Sequence, residues 1–339
     1  MRLVSDATRA ESAGIRARWQ GSCASGRRLG NRSHFGFARR PDATFNRKRP
    51  VPDDLSDVRY QVALANRMLA HEGVLDAFGH VSMRHPGDPG RYLLARSRSP
   101  GVVEADDILE FTLDSEPVAP PTAQLYAERV IHGGIYQARP DVTAVCHHHA
   151  PAVMPFCIAG VPIVPVFHLG AAGGETVPFW NQRDEFGDTN LLVVKPEEGR
   201  SLARALGPHN AVLMNNHGAT VVGRTLQELV ARAIFMCQNA DYQLRAHLLG
   251  KVSTLTAGET RLAGAISALP TAASRTWEYW TLRLGRAGGL PPRAAAKSKS
   301  KSKSKSKPRP RAAAARAAAS GRMPARARKT KARSTGRTR

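Results

Sequence analysis

Cysteine is scarce, and no apolar run goes unbroken. The 339 residues hold four cysteines, Cys23, Cys146, Cys157 and Cys237, with no CxxC pair among them. That excludes a dense disulfide scaffold and a thiolate zinc site, and it fits a reducing compartment, the cytoplasm. The most apolar stretch, near 150–169, is interrupted by Pro151, Pro155, Pro162 and Pro165. A membrane helix needs roughly 20 largely uninterrupted apolar residues, so buried strand and loop is the expectation and no membrane contact is. No apolar leader core stands at the N-terminus, so no signal peptide is expected.

Negative charge is missing from the ends. The formal net charge is +23. Residues 1–50 carry 12 Lys+Arg against 3 Asp+Glu, and residues 285–339 carry 19 bases and no acid. That leaves 19 bases against 24 acids in 51–284, a mildly acidic body. The 1–50 segment is rich in Arg, Gly, Ser and Ala without hydrophobic period. It reads as a disordered basic extension or as translation assigned from too far upstream, since such a composition cannot offset its ordering entropy. After Gly288-Gly289 a Lys-Ser alternation runs from Lys297 to Lys307 and passes into Pro/Arg/Ala-rich sequence. This tail, 285–339, reads as disordered and either solvated or available for nonspecific polyanion contact weakened by salt. It holds no aromatic side chain, so base stacking is not expected.

The body, 51–284, alternates helical and strand patterns without internal repeat, which predicts one layered α/β domain. Residues 54–72 have a helical apolar face that Asp53 or Asp54 can cap, with Gly73 at its end. Strands are predicted over 79–84, 91–95, 142–149, 190–194 and 211–214, and helices over 122–138 and 225–249.

Three histidines close the 142–149 strand. Side chains alternate across a strand, so His147 and His149 share a face and His148 takes the other. Two imidazoles at i and i+2 can converge on one cation, although such a pair alone is also a common incidental feature. His217 follows the 211–214 strand in Asn216-His217-Gly218, where Gly218 allows a sharp turn; alone it is equally a loop histidine. Glu128 falls mid-helix in the predicted 122–138 element, one turn before His132 and on its face; alone it is equally a solvated carboxylate. Together, three imidazoles and a carboxylate suit one divalent ion per subunit, Zn²⁺ or Mn²⁺, with positions left for a substrate.

Glu128, the run YQARPDVTAVCHHHAP (136–151) and the segment LMNNHGATVVG (213–223) resemble the class II aldolase/adducin family over roughly 55–260. The resemblance implies a central, mainly antiparallel sheet flanked by helices, and a homotetramer with sites at subunit interfaces. It implies His147, His149 and His217 as ligands of a catalytic divalent metal. Glu128 would complete that cluster and serve as general acid/base. The sugar-phosphate aldolases of the family hold a phosphate with a Gly-Asn pair, a Thr/Ser-Gly loop and a Ser-Ser pair before the Glu. Here those places read Gly79-His80, Ala95–Pro100 and Tyr126-Ala127, so a phosphorylated ketose is not expected. Arg96 and Arg98 offer fork-shaped donors for a carboxylate, unless they are solvated loop charges.

GHVSMRHP (79–86), the loop RSRSP (96–100), His168 in PVFHLGAAGG and TWEYW (276–280) are similar to a decarboxylase branch of the family, which acts on hydroxylated aromatic, pyridine or dienoic carboxylates. That adds His80, Ser82, Arg96, Ser97, Arg98 and His168 as candidate contacts to a small carboxylated substrate. His168 reads as a supporting donor or a core histidine, and TWEYW as an aromatic cluster packing the last helix. The expected activity is metal-dependent decarboxylation through an enolate, with Glu128 returning the proton. The alternatives are an aldolase acting on a small unphosphorylated hydroxy-carbonyl compound, and a non-catalytic adducin-like or polyanion-binding protein.

Overall fold

The computed structural model describes residues 55–293. The 1–50 extension and the Lys/Ser/Arg/Ala-rich tail beyond 293 lie outside the described residues. Short, largely buried segments build one seven-stranded sheet: β1 His80–Arg84, β2 Arg91–Ala95, β3 Ile108–Thr112, β4 Ala144–His148, β5 Phe179–Trp180, β6 Ala211–Met214 and β7 Gly218–Gly223. Its order is β3-β2-β1-β4-β7-β6-β5. Every pairing is antiparallel except β5 with β6. The mainly antiparallel sheet expected from the family resemblance is therefore present.

Helices cover both faces, because side chains on neighbouring strands fall into two apolar sets. Val81, Leu93, Cys146, Ala219 and Val221 pack with α1 (Ser56–His71), α6 (Leu226–Leu249) and α8 (Pro270–Arg286). Leu94, Val145, Val212 and Val222 pack with α2 (Arg129–Ala138) and α5 (Pro196–Leu206). The last two helices approach backbone to backbone. A Cβ on Gly134 would lie 2.6 Å from the Gly199 carbonyl, and one on Gly199 would lie 2.3 Å from the Val130 carbonyl oxygen. Only glycine at both positions permits that crossing. Shorter helices complete the shell: α3 Met154–Ala159, α4 Gln182–Phe186 and α7 Ala257–Ser267. Among the described residues no helix is long and apolar enough to cross a membrane.

Three local expectations are corrected. The helix predicted over 122–138 begins only at Arg129, with Glu128 as the residue preceding its first turn. The chain before it is held extended: Gln124 accepts from the Ser97 N–H at 2.8 Å, and Leu125 bridges Arg96. The strand predicted over 190–194 is irregular. Its N–H groups go to side chains, Leu191 to Thr189, Leu192 to Asn190 and Val194 to Glu198. Leu191 also has φ of 66°, which no strand accommodates. At the start of α1, Leu55 occupies the capping position without a side-chain bond, and Asp53 and Asp54 lie outside the described residues.

TWEYW packs the last helix as expected. Trp280 is buried and Trp277 is packed against the same core, whereas Tyr279 is exposed. Residues 285–293, which the charge pattern assigns to the tail, lie against α1. Arg67 donates to the Gly289 carbonyl at 3.2 Å, and the Arg293 guanidinium stands 4.6 Å from the Tyr60 ring centroid.

Candidate active site

The end of β4 lies between β1 and β7, with His147 in register with His80 on one side and Thr220 on the other. Residues directly opposite in antiparallel strands share a face. His80, His147 and Thr220 therefore form a row on the side covered by α2. Thr220 Oγ1 lies 3.3 Å from His147 Nδ1, so the other ring nitrogen, Nε2, points into the site. It meets His149 Nε2 at 3.0 Å. His148 turns to the opposite face, where its Nδ1 accepts from the Ala150 N–H.

His217 arrives on the β6–β7 hairpin. The left-handed residue of that turn is Asn216, with φ of 56°, and not Gly218 as the sequence suggests. Gly218 serves instead for close approach, since a Cβ there would lie 2.3 Å from the His148 carbonyl oxygen. The hairpin is pinned from α3: Asn216 N–H donates to the Cys157 carbonyl, and the Cys157 thiol donates to the Gly218 carbonyl at 3.0 Å.

Glu128 enters from the start of α2. Its Oε1 is 3.4 Å from His217 Nε2 and its Oε2 is 3.6 Å from His147 Nε2. One donor atom from each of Glu128, His147, His149 and His217 lies within 4.8 Å of the other three. Burial holds all three imidazoles below their ordinary range, with His217 at about 4. They are thus neutral near pH 7, the ligating form. Burial also pushes the Glu128 carboxyl up to about 7, opposed by the Val193 N–H that Oε1 accepts at 3.0 Å. Start-of-helix dipoles favour the charged carboxylate, but here desolvation outweighs them. Three neutral nitrogens and a carboxylate, with His147 oriented by Thr220 from behind, are a donor set that fits a borderline divalent ion.

The cluster opens on a cavity of ≈ 550 Å³, within the usual size for a small-molecule site. Glu128 and His149 line it beside His80, Ser97, Arg98 and Tyr126. Of the six candidate substrate contacts, His80, Ser97 and Arg98 therefore reach the cavity. Ser82 does not: it is fully buried, with its hydroxyl shared between His132 Nδ1 at 2.6 Å and Tyr136 at 2.8 Å. His168 is exposed on the 3₁₀ turn His168–Gly173, its ring against Phe167. It is neither a core histidine nor a cavity residue. Arg96 and Arg98 are not free forks. Arg96 Nε donates to Asp107 Oδ1 at 2.7 Å and Arg98 Nη1 to Oδ2 at 2.6 Å. Burial alone would raise the Asp107 carboxyl, but the Glu104 N–H and the two arginines together hold it below its ordinary value.

Sequence reasoning missed Asp107, Thr220 and the Val193 N–H. Asp107 lies 11 residues after Arg96 and 9 after Arg98, and nothing in its local pattern marks it. Thr220 is identifiable once β7 is known to pair with β4. Val193 acts through its backbone, which carries no residue signature.

The chain is similar to the decarboxylase tropJ of Talaromyces stipitatus, 32% identical over 248 residues that cover 66% of this chain and 92% of that protein. It is similar to a 3,4-dihydroxyphthalate decarboxylase of Arthrobacter keyseri, 32% identical over 209 residues, 57% of this chain and 79% of that one. Among solved structures, an aldolase II superfamily protein from Pseudomonas syringae shares the fold with a TM-score of 0.61 at 23% identity, over 71% of this chain and 97% of that chain. The family and its decarboxylase relatives make this chain an enzyme of the lyase type. Residues 60–244 match the family described as Class II Aldolase and Adducin N-terminal domain, and the chain belongs to that family.

Proposed function

We propose that the chain is a divalent-metal-dependent decarboxylase of a hydroxylated aromatic, pyridine or dienoic carboxylate. The observation that carries this reading is a carboxyl group, Glu128, buried beside three neutral imidazoles at the wall of a cavity. His147, His149 and His217, with Glu128 beside them, would hold one zinc or manganese ion, whose Lewis acidity would stabilise negative charge on a substrate oxygen. When the carbon–carbon bond to the carboxylate breaks, CO₂ leaves and the electron pair stays on the substrate carbon. Glu128 delivers its proton to that carbon and is reprotonated from solvent. Burial beside the cavity favours the protonated carboxyl, whereas a cation held by the three histidines would oppose it.

The cavity wall supports a planar, unphosphorylated acid. Phe78, Tyr126 and Leu192 give it apolar surface, and His80, Ser97 and Ser99 give it polar atoms. Tyr126 and Ala127 precede Glu128, and the one hydroxyl they hold is engaged by the Arg98 carbonyl. That leaves no hydroxyl pair there for a phosphate. The same reading takes the enzyme to be a cytoplasmic homotetramer. Leu248, Leu249, Leu262 and Ile266, exposed at the end of α6 and along α7, suit burial between subunits, and Cys146, Cys157 and Cys237 are free thiols.

The test is metal analysis of the purified full chain, then a CO₂-release screen over ortho-hydroxy aromatic and pyridine dicarboxylates. Stoichiometric metal and CO₂ release are expected. Aldehyde release from small hydroxy-carbonyl compounds without CO₂ would assign the site to aldol cleavage. Absence of metal, with His147→Ala indistinguishable from the parent, would sink the reading.

A further inference from the structure

Behind the cavity wall a chain of four buried polar side chains runs from α2 into β1. The Tyr136 hydroxyl lies 2.8 Å from Ser82 Oγ, Ser82 Oγ lies 2.6 Å from His132 Nδ1, and His132 Nε2 lies 2.7 Å from His80 Nδ1. Ser82, His132 and Tyr136 are sealed from solvent, while His80, almost fully buried, lines the cavity. We propose that this chain is directional and fixes His80 as a hydrogen-bond donor, through Nε2–H, to an anionic oxygen of the substrate. His132, Ser82 and Tyr136 are then positioning residues for a substrate-binding histidine. The inference rests on the decarboxylase reading for the identity of the substrate, though not for the direction of the chain.

The direction follows from counting protons. A phenol in this interior keeps its hydrogen, because burial disfavours the phenolate. Among the described residues the acceptor within its reach is Ser82 Oγ, and a buried hydroxyl hydrogen turned elsewhere would be unpaired. Tyr136 therefore donates to Ser82. The serine hydrogen is then free to go to His132 Nδ1, which must accept it. A neutral imidazole carries one proton, so His132 bears it on Nε2 and donates to His80 Nδ1. His80 is left with its proton on Nε2, the ring nitrogen away from His132. That edge belongs to the ring lining the cavity, 5.4 Å between centroids from His147. Run the other way, the chain would strand the Tyr136 hydrogen and turn a lone pair toward an anionic ligand.

The arrangement also gives Ser82 and His132 a purpose. A bare His80 could rotate or exchange its proton between ring nitrogens, whereas a ring bonded at Nδ1 presents a single donor at a fixed place. A charge-assisted bond of that kind is stronger than a neutral one.

The experiment uses the zinc-loaded full chain labelled with ¹⁵N-histidine, with His80→Gln and His132→Gln supplying the assignments. Magic-angle-spinning spectra are expected to show both His80 and His132 as the Nε2–H tautomer. In Tyr136→Phe and Ser82→Ala the His80 signal is expected to divide between tautomers while bound zinc stays stoichiometric, which a merely structural role would not produce. The binding arm uses 2-hydroxybenzoate as probe. His80→Phe is expected to weaken it roughly tenfold, and His80→Gln, whose amide N–H falls where Nε2–H was, to recover most of that loss. An Nδ1–H tautomer at either histidine overturns the direction of the chain. Unchanged affinity in His80→Phe, no binding by the parent, or zinc loss in His80→Phe overturns the donor role. Neither arm needs turnover, so a failure to release CO₂ would count against the decarboxylase reading alone.

Discussion

Glu128 shows how a position in the chain and a position in space combine to set chemistry. Its side chain is removed from water at the start of a helix, beside three imidazoles that burial keeps uncharged. Replacing it by Gln preserves shape and the Val193 contact but removes the proton. Glu128→Gln should retain the metal and lose about 10²–10⁴ in turnover, the range for a general acid. Stopped assays alongside metal analysis check this, and parental turnover in a loaded variant would remove Glu128 from the chemistry. At this scale the site residues were legible wherever the side chain itself is the functional group. Glu128, His147, His149 and His217 could all be named from order and spacing, and the structure brings them together. Arg96 and Arg98 were named for a role that their pairing to Asp107 largely takes up. Their charge was visible in the sequence; their partner was not, because it is set by how the loop folds back after β2.

Among the elements, the β6–β7 hairpin has the least tolerance. It must bring His217 to the end of β4, and its Gly218 passes so near the His148 carbonyl that a methyl group would overlap it. Backbone cannot yield there as a flexible side chain could. Gly218→Ala should therefore displace His217, reduce bound metal and destabilise the fold by about 3 kcal/mol, as overpacking against backbone does. Metal content and a urea melt of the same sample read both effects. Helix and strand positions with strong period were legible: α1, β1, β2, β4, β6 and α6 lie where their patterns put them. The start of α2 and the 190–194 segment were not. Pairing with the chain after β2 overrides helical propensity before Glu128, and side-chain acceptors take the N–H groups that a strand would have used. Both outcomes depend on distant residues, which a local pattern does not contain.

For the molecule as a whole, the sheet buries histidine on both of its faces. His80 and His148 are held at about 3 and His217 at about 4, mainly by burial, and His132 and His147 lie well below their ordinary range. An unfolded chain would protonate these rings near pH 6.5. Between that value and pH 3–4 the unfolded state binds more protons, so stability falls as pH falls. Glu128 acts in the opposite sense between 4.5 and about 7, but it is one group against several. The metal-free protein should lose roughly 1 kcal/mol per buried histidine for the first pH unit below 6.5. Urea midpoints measured from pH 7.5 to 5.5 check it, and a flat profile would contradict the burial of these rings. The layered architecture was legible from the alternation of element types. The net charge was the most misleading global quantity, since it sums basic ends with an acidic-leaning body.

The register of β4 has a consequence for how this enzyme can change. Because His147 faces the cluster and His148 the opposite core, the histidine triplet is no reserve of interchangeable ligands. A single-residue insertion or deletion within β4 would exchange the two faces. His148 would then stand alone at the cavity, and two imidazoles would be driven into the apolar packing of α1 and α6. Length changes inside β4 should therefore be tolerated only in pairs.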